Sequence, residues 1–207
     1  MTMKSLKQYH DIISIGSSCQ TSYQLRRMKL SKVAGPFDWF ISTSIPGLIK
    51  LFNNGFQHYM EFDQLQLIGK AHQHYIVRDT HYNIDSYHDF KFTQPESLWN
   101  QEYPVFKQKI ERRVQRLLNS LAQSPSIVLV RTQLTKEAAL QLHQAIKPWI
   151  GTSDYVLLAV NNHDDLSRTD VISEEWGLEN LKAVKIPRGE DWRGADGAWE
   201  ELFDKLW

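Results

Sequence analysis

Ser126-Ile127-Val128-Leu129-Val130 and Tyr155-Val156-Leu157-Leu158-Ala159-Val160 are two apolar runs, and between them Thr135 precedes Ala139, Leu142, Ile146 and Trp149 at helical spacing, closed by Gly151. A β-branched run, a capped amphipathic helix and a second apolar run make a βαβ unit, whose crossover is right-handed and whose strands are parallel. Upstream, Ile12 to Ile15 reads as another buried strand; downstream, Leu181 to Ile186 reads as a further one, followed by a helix from about Gly197 to Trp207. The expected fold is α/β, a mainly parallel sheet flanked by helices in a Rossmann/flavodoxin-like three-layer arrangement.

The rest of the chain fits around that frame. Helices are expected from Gln20 to Leu30, after Ser44 with Pro46 in the first turn, and from about Pro104 to Ala122, where Tyr103, Phe106, Ile110, Val114, Leu117 and Leu121 recur at helical spacing. One of Arg112 and Arg113 is expected to leave the solvated face of that helix. From His72 to Phe90 aromatic, aliphatic and polar residues alternate, with Asp79-Thr80 at a turn, which predicts a β-hairpin. The expected organisation is a single α/β domain over residues 1–207 with a hairpin insertion at about 70–92. Lys+Arg and Asp+Glu both total 24, so no net field draws the chain to nucleic acid or an anionic membrane. The single cysteine cannot form an internal disulfide, and the N-terminal residues lack the apolar run of a signal peptide, so a cytoplasmic location is expected.

In an open parallel sheet, ligands bind beyond the carboxyl ends of the strands. That rule collects Gly16-Ser17-Ser18-Cys19, Arg131-Thr132-Gln133, Asn161-Asn162-His163-Asp164 and Arg188-Gly189 on one rim. Gly16 permits a sharp turn, Ser17 or Ser18 caps the next helix, and Cys19 falls in its first turn, where unpaired N–H groups favour a thiolate. A cysteine nucleophile needs a base. Five of the eight histidines fall between Gly55 and Phe90, and His88, in Tyr87-His88-Asp89-Phe90, is the preferred one. Asp38 or Asp89 could orient its ring; adjacent strand residues face opposite ways, which favours Asp38. Asp38 is expected to be buried by Phe37 and Trp39 and hydrogen-bonded there.

Other chemistries receive less support. His72 and His74, with His81 or His88, have a zinc-like spacing, but such spacing is common by chance; no metal and no cofactor are expected. Ser17 or Ser18 could be a hydrolase serine, with Asn161 or Asn162 as oxyanion donor, yet the Gly-Asp-Ser and late Asp-x-x-His signatures of that class are absent. There is no Gly-x-Ser-x-Gly elbow, P-loop or Gly-x-Gly-x-x-Gly fingerprint. Trp192, among charges and glycines, could stack on a sugar or nucleobase, whereas Trp199 fits a packed final helix.

Three segments together carry a resemblance: Ile13-Ser14-Ile15-Gly16-Ser17-Ser18-Cys19 leading to Tyr23-Gln24-Leu25-Arg26, then Gly35-Pro36-Phe37-Asp38-Trp39, then Tyr87-His88-Asp89-Phe90. With Arg112-Arg113, Leu129-Val130-Arg131 and Trp192-x-Gly194, the chain resembles a bacterial family of unknown function described as "putative papain-like cysteine peptidases". The resemblance implies Cys19 as nucleophile and His88 as base. A papain-like enzyme sets its cysteine on a long helix against a separate β-barrel domain, whereas the periodicity here predicts a strand before Cys19 and βαβ order. The expectation is a cysteine-dependent hydrolase or transferase with Cys19, His88 and Asp38 as catalytic residues and Ser17, Ser18, Arg131, Asn161 and Trp192 contacting a small-molecule, glycan or peptide substrate. The alternative is a non-catalytic carbohydrate- or nucleotide-binding module using Arg131, Asn161 and Trp192.

Overall fold

A computed structural model describes residues 6–92 and 95–205. The elements in chain order are β1 (Asp11–Ser14), α1 (Cys19–Arg27), β2 (Phe40–Ile41), α2 (Ile45–Asn53), β3 (Leu65–Ala71), β4 (His74–Asp79), β5 (Ile84–Lys91), α3 (Tyr103–Gln123), β6 (Ile127–Thr132), α4 (Lys136–Ile146), β7 (Tyr155–Asn162), β8 (Ile172–Glu174), β9 (Leu181–Ile186) and α5 (Asp196–Lys205). A five-stranded sheet runs β1-β6-β7-β9-β8 and a four-stranded sheet runs β2-β5-β4-β3. In the first, β1, β6, β7 and β9 are parallel and only the edge strand β8 is antiparallel. The four apolar runs therefore share one largely parallel sheet flanked by helices, as their periodicity predicts.

The alternation of side chains along a strand divides the core in two. Tyr155, Leu157 and Ala159 of β7 enter a cluster with Ile110, Leu117 and Leu121 of α3 and Ala139, Leu142 and Ile146 of α4. Val156, Leu158 and Val160 enter another with Leu25 of α1 and Trp199, Leu202 and Phe203 of α5. Helices thus cover both faces. The larger cluster continues into the second sheet through Phe37, Phe40, Tyr75, Val77, Ile84 and Phe90. Local chemistry sets the helix starts: the Ser44 hydroxyl accepts from Gly47 N–H before α2, and the Thr135 hydroxyl from Ala138 N–H before α4.

Two features of the antiparallel sheet depart from expectation. The hairpin forms as β4 and β5, but β3 pairs with β4 and β2 with β5, so it is the centre of a four-stranded sheet. β3 alternates only between half-buried and exposed positions, with Ile68 39% exposed, so its pattern carries little strand signal. The three-residue β8 was likewise invisible, because an edge strand of that length makes no apolar run. The predicted end of the last helix at Trp207 lies outside the described residues.

Arg131 corrects an expectation and links the two halves. It is fully buried, not on a cleft rim. Its Nη1 donates to Ile15 O at 2.9 Å and Ser42 Oγ at 3.3 Å, and its Nη2 to Ser42 O at 2.5 Å. Strand alternation sends it to the Ile127 and Leu129 face, where a long side chain reaches the segment just after β2. Burial pushes its guanidinium down to about 10. Arg131→Ala should lower the free energy of unfolding in urea by about 2–3 kcal/mol, since unpaired buried carbonyls cost about 1–3 kcal/mol each and relief of the buried charge offsets part of this. A loss below about 0.5 kcal/mol, the range of ordinary surface changes, would show that the tie does not hold the fold.

Candidate active site

β1 ends in a turn that only a special backbone can make. Gly16 and Ser17 have φ of +86° and +84°, and a Cβ on Gly16 would lie 2.2 Å from Ser42 Oγ. The turn is held from outside: Ser17 N–H donates to Ser42 Oγ at 3.0 Å, and Ser42 N–H to Ser17 O at 3.0 Å. The Ser17 hydroxyl donates to Gln133 Oε1 at 3.2 Å. Ser18 then caps α1, its hydroxyl accepting from Gln20 N–H, and Cys19 is the first helical residue. A positive φ at a non-glycine residue costs about 1–3 kcal/mol and persists only where its surroundings enforce it. The Ser42 and Arg131 network supplies that enforcement.

His88 reaches the same place from the antiparallel sheet. Tyr75 pairs with Phe90 and Val77 with Ser86, so Ile76 alone faces Tyr87, His88 and Asp89. This bulge re-aims the His88 side chain. Its Nε2 lies 3.8 Å from Cys19 Sγ, within reach of a sulfur hydrogen bond. Trp39, at φ +72°, meets the His88 ring edge-on at 5.8 Å, and His74 also lies 5.8 Å from it.

The other expected residues divide. Asp38 is buried, accepting from the Ser22 hydroxyl at 2.9 Å and Gly35 N–H at 3.1 Å. Arg26 stands 3.9 Å away. Those partners, not His88, occupy its carboxylate; burial holds it above the usual range against their pull and that of Arg113. Asp89 is taken by Ser86 and Lys109. Among the described residues no hydrogen bond reaches the second His88 nitrogen, so the oriented triad is not formed. Asn161 brackets Leu134, donating to its carbonyl and accepting from its N–H, both at 2.8 Å. Arg131 is therefore a buried structural tie, and Asn161, half-buried, holds Leu134 while lining a cavity with Asn162 and Arg188. Trp192 is 56% exposed and joins Trp39 and Tyr23 beside the pair. Sequence reasoning missed Ser42, and named Tyr23 only within the resemblance and His74 only in the zinc-like spacing. Only Tyr23, one helical turn after Cys19, left a readable signal. Among the described residues no group of three or more His, Cys, Asp or Glu could hold a metal ion, and no helix is long and apolar enough to cross a membrane.

A family described as "Putative papain-like cysteine peptidase (DUF1796)" matches residues 10–152, a span that includes both Cys19 and His88. The chain belongs to this family. An uncharacterized protein of Acanthamoeba polyphaga mimivirus is 27% identical over 214 residues, covering 92% of this chain and 96% of that protein. That relative is viral, so the bacterial distribution expected from the sequence is not what this match supports. No solved structure matches.

In this member of the DUF1796 family, the surroundings favour the neutral form of both groups. Burial pushes the Cys19 thiol from 9.0 up to about 11, outweighing its own backbone N–H, which favours the thiolate. The helix-terminus lowering expected from sequence is thus overridden by desolvation. Burial, then His74, holds His88 below 6.5, and Asp89 only partly opposes them. For a thiol raised on folding, the stability it contributes is present below its unfolded value and lost as pH rises through the folded one. Thiolate absorbance in the free protein should accordingly titrate near 11, and Cys19→Ala should lessen the loss of stability between 9.0 and about 11. A midpoint below neutrality would mean an ion pair at rest.

Proposed function

We propose that this chain, a single Rossmann/flavodoxin-like three-layer unit with the antiparallel sheet as its insertion, is a cysteine-dependent hydrolase or transferase of the peptidase type. The observation that carries the reading is the 3.8 Å approach of Cys19 Sγ to His88 Nε2, made by two different sheets at a strained turn. Membership of a family described as cysteine peptidases supports the same reading.

In this reading Cys19 Sγ attacks a carbonyl carbon while its proton passes to His88 Nε2. A carbon–sulfur bond forms and the carbonyl electron pair moves onto oxygen, favoured by the N–H groups of the first turn of α1. Collapse expels the leaving amine or alkoxide, which takes the proton back from His88. Water, or an acceptor nucleophile, then cleaves the thioester and frees the thiol. A neutral imidazole suits this sequence because it can accept the proton at the moment of attack. Asp38 acts here as a positioning residue: it ties Ser22 of α1 to Gly35, and so sets the segment that brings Trp39 against His88. Ser17 and Ser18 shape the turn. A reducing cytoplasm, which the reading includes, would keep the nucleophile a free thiol.

An activated acyl ester should leave an acyl adduct on Cys19, read by intact-mass and peptide mapping, and Cys19→Ala should show none. His88→Ala should slow acylation by about 100-fold or more. In the wild type the rate should fall as pH drops through the His88 value, which lies below 6.5. Acylation of His88→Ala at the wild-type rate would remove the histidine from the mechanism.

A further inference from the structure

Trp192 is 56% exposed, yet its segment is tightly fixed to α1. Gln24 Nε2 donates to Arg193 O and to Asp196 Oδ1, both at 2.7 Å. Gly194, at φ +82°, comes so close to the Gln20 amide that a Cβ there would lie 2.3 Å from Nε2. The ring meets Tyr23 at 5.5 Å and 69°, and Trp39 at 6.5 Å and 70°. Trp39 in turn meets His88 at 5.8 Å. Three aromatic side chains thus form a stepped wall that ends at the proposed base. Holding a large apolar ring in water is unfavourable unless something covers it, and pre-organised aromatics are common anchors of recognition.

Two cations near the wall are already engaged. Arg193 is paired with Asp191, and Arg26 lies 5.4 Å over the Trp39 ring and near Asp38. An uncharged planar group suits such a surface better than an anion or a cation. His74, 5.8 Å from the His88 ring, helps line a cavity of about 350 Å³ with His72, Gln73, Lys91 and Phe92. The aromatic wall and this cavity both adjoin the His88 ring through Trp39 and His74. The acyl transfer proposed for Cys19 needs a carbonyl carbon bearing a leaving group, which a peptide supplies and a glycosidic bond does not.

We propose that Tyr23, Trp39 and Trp192 form a specificity wall for a bulky aromatic side chain of a peptide substrate, adjacent to the carbonyl that Cys19 attacks. The proposal rests on the Cys19–His88 reading and names its substrate class. The probes are two N-acylated peptidyl chloromethyl ketones, one ending in phenylalanine and one in glycine, with alkylation at Cys19 followed by mass spectrometry. The sulfur–carbon bond forms as the carbon–chlorine bond breaks; chloride leaves and the thiol proton passes to His88.

The phenylalanyl probe should react roughly tenfold or more faster than the glycyl one, the discrimination an apolar subsite provides. Trp192→Ala should bring the phenylalanyl rate down toward the glycyl rate, and Trp192→Phe should restore part of the difference. Equal rates for both probes, each still slowed by His88→Ala, would overturn the wall and leave the catalytic pair standing. Rates independent of His88 would overturn the pair itself, and the proposal with it. Saturable quenching of Trp192 fluorescence by a neutral oligosaccharide, and not by a phenylalanyl peptide amide, would overturn the wall in favour of a carbohydrate surface.

Discussion

A guanidinium buried without a carboxylate beside it joins the two sheets. Arg131, near the end of β6, reaches the last carbonyl before the Gly16 turn and both oxygens of Ser42 just after β2. Desolvating that charge is unfavourable, as its depressed titration shows, and the compensation is three hydrogen bonds made in a low-dielectric setting. Ser42 in turn accepts from Ser17 N–H. One side chain therefore fixes the turn that presents Cys19 and, through β2 and its partner β5, the strand that presents His88. The distance between sulfur and imidazole depends on how the sheets meet, and Arg131 is the polar tie where they do so beside the shared apolar core.

That dependence explains what could be read from the chain and what could not. β6, α4 and β7 are legible because a βαβ unit is local: apolar runs, a threonine cap and a closing glycine lie within a few dozen residues. The Cys19 turn is legible for the same reason, with Gly16 and two serines at the end of a strand. His88 is not. Its direction comes from Tyr87 to Asp89 bulging opposite Ile76, a register event between strands that no single-strand pattern encodes; His88 is preferred from sequence for its place among aromatics at the hairpin's end, and the family resemblance implies it too. Arg131 was misread because a polar residue at the end of an apolar strand has the composition of a cleft rim; only the position of Ser42 shows that it turns inward. Burial of Asp38 followed from its aromatic neighbours, but its partners did not.

The family description and the sheet order describe different levels of the same molecule. Strand β1 and the parallel order that follows it are unlike a long helix packed on a barrel. Yet the cysteine begins a helix, and the histidine comes from a separate antiparallel sheet. A nucleophile at a helix N-terminus and a base on a rigid strand is a chemical requirement that more than one architecture can meet. The label is informative about the pair and uninformative about the topology carrying it.

The two residues also illustrate how one environment acts oppositely on two groups. Burial raises the thiol and lowers the imidazole, so each disfavours its charged form, and the separated charges of thiolate and imidazolium are unfavourable at rest. Proton transfer then needs a developing negative charge that the site can hold better than it holds the thiolate alone. On the proposed reading, N–H groups of the first turn of α1 would do that for an oxyanion. A neutral pair of this kind is quiet toward water and oxidants, because the thiolate is scarce until a carbonyl is bound. On the proposed reading its reactivity is set by substrate placement, and Trp39 against His88 and Trp192 beyond it would then be as much a part of the chemistry as the sulfur.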